Sequence, residues 1–274
     1  MDSSSDTRFP LRLHVLGSGS KGNAAIIENT LADQGVLVDC GLCKRDFLAR
    51  CAEAGFDPAA LAAILITHEH TDHTKGLGVV LRGLARLGAR PLLLTSPAVR
   101  DASAPLGEAL QQGLCDFASF AAGDALELGG MDIRVFATSH DAAASFGFRF
   151  QYGADAVGYM TDTGVATAEA REALAGVRVL ALEANHDRAM LEAGEYPYHL
   201  KLRIASDRGH LSNDQAAEVV AELAHEGLQT VVAMHVSQNN NTYCLPREVL
   251  EGALRRSGCA AAVKVAYQDR LVSV

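Results

Sequence analysis

The stretch from Ile64 to Leu77 reads ILITHEHTDHTKGL and puts His68, His70, Asp72 and His73 within six positions, directly after an apolar run. Imidazole and carboxylate together are ligands for zinc, manganese or iron. A histidine-rich surface loop is the plain alternative, but a rigid strand leading straight into four such residues suits a site that needs tight positioning. On a strand or a helix these offsets would scatter the rings, so a loop at a strand's end is expected to converge them. A two-metal site needs more ligands, and three candidates share the same context at the end of an apolar strand: His140 in VFATSHDA, Asp162 in VGYMTDTG and His235 in VVAMHVS. Singly, each has an ordinary reading, a turn aspartate or a hydrogen-bonded histidine. Four strand ends that each deliver a ligand type are harder to explain that way.

The elements that would carry these residues alternate short apolar runs with longer helical patterns. Strands are expected at Arg12–Leu16, Ala24–Glu28, Gly35–Asp39, Ala62–Thr67, Pro91–Thr95, Ala125–Leu128, Asp132–Ala137, Ser145–Gln151, Ala156–Thr161, Val177–Glu183, Thr230–His235 and Ala262–Tyr267. Helices are expected over Lys44–Gly55, Leu77–Leu87, Pro97–Leu114, Asn213–Leu223 and Pro246–Arg256. YGAD between two strands reads as a hairpin turn. No internal repeat or linker divides the chain, so residues 1–10 read as a disordered tail and 11–274 as one domain of two sheets covered by helices.

The 274 residues are 49% hydrophobic and 21% charged, an ordinary water-soluble composition, with no apolar run long enough to span a membrane. The N-terminus lacks the basic and apolar regions of a secretion signal. Six cysteines in a chain this long do not make a disulfide framework, and reduced thiols in a cytoplasmic protein are expected. Cys40 and Cys43 form the one close pair, and a zinc site there would need further ligands. A net charge of −9 argues against a broad basic surface coating nucleic acid, but not against a local basic groove or a site where metals supply the positive charge.

From GSGSKGN (Gly17 to Asn23) to HVSQNN, the pattern resembles the metallo-β-lactamase superfamily, whose fold is a four-layer αβ/βα sandwich of two mixed sheets flanked by helices. The resemblance implies two divalent metal ions, zinc or manganese. It puts His68, His70 and His140 on one ion, Asp72, His73 and His235 on the other, and Asp162 between them, with Asp39 in LVDCG supporting the site from behind. His210 in SDRGHLSNDQ stands just before a helix that Ser212 or Asn213 can cap, and resembles the catalytic histidine segment of RNase Z-like phosphodiesterases. The gap between His140 and Asp162 holds one hairpin, with no room for the substrate arm of tRNA-processing RNase Z or for a β-CASP domain. GSGSKGN, EANHD, YPYHLKLRIASDRGHLSN and HVSQNNN together look like the YycJ/WalJ branch, whose members resemble 5′→3′ exonucleases on double-stranded DNA.

The chemistry this implies is metal-assisted phosphodiester hydrolysis. A hydroxide activated by two ions attacks in line, Asp72 and Asp162 serve in catalysis, and His210 protonates the leaving oxygen. The partner would be DNA with a free 5′ end. Ser20, Lys21 and Asn23 of the glycine-rich loop, and Lys201, Arg203 and Arg208 in a segment read as strand and loop, are candidates for substrate phosphate. His186 is read as supporting the site and His199 as structural. A small-molecule phosphodiesterase of the PhnP kind, a glyoxalase II-like thioesterase and a non-catalytic, metal-stabilised DNA-binding protein are the other readings.

Overall fold

The computed structural model describes residues 9–274. Thirteen strands follow the chain through two sheets. The first contains β1 (Leu11–Gly17), β2 (Ala24–Asn29), β3 (Gln34–Val38), β4 (Leu61–Leu65), β5 (Leu92–Thr95) and β6 (Phe117–Ser119). The second contains β7 (Ala125–Leu128), β8 (Met131–Ala137), β9 (Phe146–Tyr152), β10 (Asp155–Met160), β11 (Val179–Glu183), β12 (Thr230–Met234) and β13 (Ala262–Val265). A last strand, β14 (Val272–Ser273), returns to the free edge of β1. The strands from β3 to β6 are parallel, as are those from β10 to β13, while the remaining neighbours are antiparallel.

Alternation along the central strands explains the layering. Val157 and Tyr159 of β10, Val179 and Ala181 of β11, and Val232 and Met234 of β12 point into a core shared with the first sheet. Their neighbours Ala156, Met160, Leu180, Leu182, Val231 and Ala233 point into a second core. Both faces are apolar because both are covered, which is why these segments read as unbroken hydrophobic runs. Helices Ala168–Leu174, Asn213–Leu223 and Leu245–Arg256 cover the second sheet, and helices Lys44–Ala54, Leu77–Arg86 and Ala104–Gln111 lie on the side of the first. The result is the expected four-layer αβ/βα sandwich.

Several elements differ from the sequence reading. The helix expected over Pro97–Leu114 is two, Pro97–Ala102 and Ala104–Gln111, parted at Ser103 with φ −103° and ψ 107°. Pro105 has no N–H to donate to the turn before it, and its ring crowds the carbonyl four residues back. The segment holding Lys201 and Arg203 is helix Tyr198–Ile204 rather than a strand. The YGAD turn is a hairpin as expected, with Gly153 at φ 56° in its first central position. Of the proposed tail, residues 1–8 lie outside the described residues; Pro10 is buried, its carbonyl accepting from Thr30, and the Arg178 guanidinium lies 5.0 Å from the Phe9 ring centre.

Beneath Phe9 one ion pair joins the two sheets. Asp155, at the start of β10, accepts from Arg178 Nε at 2.7 Å and Nη2 at 3.1 Å, and from the Leu11 N–H of β1 at 3.0 Å. Arg178 Nη2 also donates to the Leu11 carbonyl at 2.7 Å. Asp155 is 1% exposed. Asp155→Ala should therefore strand a buried guanidinium and a buried N–H, lowering the free energy of urea unfolding by roughly 3–5 kcal/mol. A loss below about 1 kcal/mol, the level of a surface pair, would contradict this clamp.

Candidate metal centre

The strands of both sheets end at one edge of the sandwich, and three of them leave through a left-handed residue. Asp39 follows β3 with φ 61°, Asp162 follows β10 two residues on with φ 56°, and His235 follows β12 with φ 52°. Such a backbone costs a non-glycine residue roughly 1–2 kcal/mol, and here it coincides with the abrupt ends of the strands beside the site. His68 stands three residues beyond β4. His70 then caps a single helical turn, Thr71–Thr74, that carries Asp72 and His73. The loop expected to converge these rings is thus partly helical. His140 stands three residues beyond β8.

The chain brings all seven candidate ligands together. His68, His70 and His140 offer ligand atoms within 4.8 Å of one another, as do Asp72, His73 and His235, and as do His68, His73 and Asp162. Asp162 lies between the two histidine groups: its Oδ2 is 3.4 Å from His73 Nε2, and its Oδ1 is 3.6 Å from His235 Nε2 and 3.9 Å from His140 Nε2. His68 Nε2, His235 Nε2 and Asp162 Oδ2 are buried with no hydrogen-bond partner. Protein interiors rarely leave such atoms unsatisfied, and a divalent cation is the partner their chemistry fits. The opposite nitrogens are held. His73 Nδ1 meets Asp39 Oδ2 at 2.7 Å, His140 Nδ1 meets the Gly209 carbonyl at 3.0 Å, and His68 Nδ1 meets Thr67 Oγ1 at 2.9 Å. Support of this kind fixes the ring and aims the other nitrogen at a cation. Thr67 in turn donates from its N–H and hydroxyl to Asp39.

Charge balance follows the same division. Burial disfavours the imidazolium of His235, but Asp162, Asp72 and Glu183 outweigh it and raise its pKa to about 9. Burial likewise opposes charge on His73, and Asp39, Asp162 and Asp72 lift it well above the ordinary histidine value. Burial and the neighbouring imidazoles push His68 well below that value. Burial alone would raise Asp162, yet His235, His73, His68 and His140 hold it well below the usual carboxylate range. Cations entering here would displace protons from His73 and His235 and find His68 already neutral.

His210 sits beside this cluster. Its Nδ1 is 2.8 Å from Oε1 of Glu183, the last residue of β11, which is fully buried. Oε2 of the same carboxylate accepts from the N–H groups of Thr163 and Leu211 at 3.1 Å each. With Nδ1 committed, the free nitrogen of His210 is Nε2, on a ring that lines the cleft and stacks on His235 with centres 5.2 Å apart. Asp162, Glu183, His210 and His235 also form a group close enough to hold a cation. Gly209 lets the loop close: a Cβ there would stand 2.2 Å from the Ile204 carbonyl.

The β-lactamase superfamily domain matches residues 34–236. The chain belongs to the metallo-β-lactamase superfamily. It is 31% identical over 249 residues to the Bacillus anthracis protein named exodeoxyribonuclease YycJ, covering 90% of each chain. It is 32% identical over 259 residues to exodeoxyribonuclease WalJ of Streptococcus pneumoniae, covering 93% of this chain and 92% of that one. The superfamily fold is also that of the Bacillus subtilis protein YhfI, with a TM-score of 0.71 at 17% identity over 97% of this chain and 100% of that one. The fold implies divalent metal, and the histidine and aspartate clusters fit it.

Other residues singled out in the sequence fall in different places. Ser20 and Arg203 line the superfamily cleft, a cavity of about 260 Å³, and Arg203 pairs there with Asp141. Lys21 is exposed beside it, with its N–H on Gln268 and its carbonyl on Lys75. Asn23, expected to meet phosphate, is 1% exposed and structural: its Nδ2 reaches the Gly19 carbonyl, Asp72 Oδ2 at 3.2 Å and His73 Nε2 at 3.1 Å. Arg208 is turned onto the His140 carbonyl, and Lys201 onto the Glu192 carbonyl outside the cleft. Cys40 is buried and Cys43 exposed, and among the described residues no cysteine belongs to a candidate metal group. Glu183 and Asn185, whose Nδ2 reaches His235 Nδ1 at 3.1 Å, went unassigned in the sequence although both lie in or beside EANHD.

His186, expected behind the metals, instead walls a separate cavity and is 1% exposed. Burial lowers its pKa to about 4. A depressed histidine pKa means the unfolded chain takes up the proton first as pH falls, so stability declines between about pH 6.5 and pH 4, by roughly 3 kcal/mol in full. His186→Gln should flatten the melting temperature over that window relative to wild type. Parallel profiles would show that His186 is not held neutral.

Proposed function

We propose that the chain is a dinuclear metal-dependent phosphodiesterase, acting as a 5′→3′ exonuclease on double-stranded DNA. The observation that carries the reading is His210, held through Nδ1 by the buried Glu183 beside Asp162. A histidine so supported is suited to protonating an alkoxide, a leaving group that needs an acid, whereas a thiolate does not. The near full-length similarity to two exodeoxyribonucleases supplies the DNA.

In this reading His68, His70 and His140 hold one zinc or manganese ion, Asp72, His73 and His235 hold the other, and Asp162 serves both. Bound divalent cations supply Lewis acidity toward a phosphoryl oxygen and lower the pKa of a coordinated water. The protein does the rest. Asn23 fixes Asp72, Asp39 fixes His73, and Glu183 orients His210 so that its Nε2 faces the cleft as the proton donor. On a chain of net charge −9, the cations available for DNA are local. Lys44, Arg45, Arg82 and Arg86 border one shallow concavity of about 480 Å³ beside the helix that follows the metal-binding turn, and Arg203 stands at the cleft. At the metal cleft itself these take the place of Lys201 and Arg208 as the residues expected to meet phosphate.

Metal titration followed by elemental analysis should reach two equivalents in wild type and in His210→Ala, while Asp162→Ala should lose metal and activity together. His210→Ala should slow DNA cleavage by roughly 10²-fold or more, and slow a nitrophenyl phosphodiester much less. Loss of metal from His210→Ala would make that histidine a ligand. Linear duplex should be degraded from its 5′ ends while covalently closed circles survive. Equal cutting of circles would overturn the exonuclease reading.

A further inference from the structure

Helix Tyr198–Ile204 separates two concavities. Leu200, Arg203 and Ile204 face the metal cleft, whereas Tyr198, Lys201, Leu202 and Ala205 face a cavity of about 750 Å³. That volume is well within the range of ligand sites and nearly three times that of the cleft, about 260 Å³. Its floor is His186, 1% exposed, with an Nδ1 that is buried and lacks a hydrogen-bond partner. Leu191 forms an apolar wall. Its rim carries Tyr198, 76% exposed, and Leu202, 54% exposed, one helical turn apart. Two large apolar side chains left side by side in water are a platform awaiting a flat partner. Arg188 and Lys201 add two cations, opposed by Glu192, which also gives its carbonyl to Lys201 Nζ at 2.6 Å. Arg188 is tethered through Nε to Ser212 Oγ at 3.2 Å and lies 4.0 Å from Asp214.

We infer that this cavity is an accessory nucleotide site, which takes one unpaired nucleotide of the DNA strand outside the cut position. The base stacks on Tyr198 and Leu202, its polar edge meets the His186 imidazole, and its phosphate lies toward Lys201 and Arg188. Because His186 stays uncharged near neutral pH, it offers one donor and one acceptor, which suits a base edge rather than a phosphate. The inference rests on the nuclease reading for its substrate, but the site itself can be tested without cleavage.

The test is calorimetric titration of wild type, Tyr198→Phe and Tyr198→Ala/Leu202→Ala with dAMP, alongside kinetics on duplex with a single-stranded 5′ end. All three changes are at exposed positions on the rim. Wild type should bind dAMP saturably, Tyr198→Phe about equally, and the double variant about tenfold more weakly. The double variant should raise KM for the DNA about tenfold and leave kcat and nitrophenyl diester hydrolysis unchanged. Equal dAMP affinity in wild type and the double variant, or no binding to either, overturns the site. Rim-dependent dAMP binding in a protein that cuts no DNA would keep the site and remove the nuclease reading.

Discussion

Seven imidazole and carboxylate side chains are gathered where two apolar sheets run out, and removing them from water is the cost around which this edge of the molecule is organised. Left to themselves they would shift their protonation or drive the edge apart. The fold answers with a second ring of groups that hold the first. Asp39 and Thr67 hold His73 and His68, the Gly209 carbonyl holds His140, Asn185 meets His235, and Asn23 reaches both Asp72 and His73. Ser18, from the turn after β1, accepts from the His235 N–H at 2.7 Å. Most of this support stays within one half of the fold, and the Ser18–His235 bond ties the two halves together at the site.

Close approach is the other half of the arrangement. Gly41 presses so tightly on the helical turn behind Asp72 that a Cβ would fall 1.6 Å from the Asp72 carbonyl, and the Asn23 N–H donates to that carbonyl at 2.8 Å. The glycine-rich loop after β1 is thus packing material for the turn that carries Asp72 and His73. Only Ser20 and Lys21 remain on its outside. A loop of this composition can cradle phosphate or let two backbones touch, and sequence does not distinguish the two uses.

That ambiguity marks the boundary of what was legible. The central strands were readable because burial on both faces leaves unbroken apolar runs, and the seven candidate ligand positions because four of those runs lead within three residues to a histidine or aspartate. Glu183 ends β11 in the same manner, but its role depends on His210 folding back from a loop 27 residues away. The basic residues misled for a related reason. Lys201, Arg203 and Arg208 are close in the chain, yet two helical positions, about half a turn, send Lys201 and Arg203 to opposite concavities and the following loop turns Arg208 onto a backbone carbonyl. The shortest elements, β6 and β14, are too brief for periodicity to register, and their partners alone define them.

β14 has its own significance. Residues at the far end of the numbering, Val272 and Ser273, pair with Val15 and His14, and Val274 exchanges backbone hydrogen bonds with Leu13. Tyr267 likewise receives the Ser18 N–H, just before the loop that packs against Asp72. During synthesis on the ribosome, the first six strands therefore emerge with one edge of β1 bare, and that edge stays bare until Val272 and Ser273 have followed. A nascent first sheet with an open, apolar border is a template for mispairing. Closure of that border therefore waits on Val272 and Ser273, and a chain stalled between residues 236 and 271 would carry all seven candidate ligands without the strand that closes the sheet behind them.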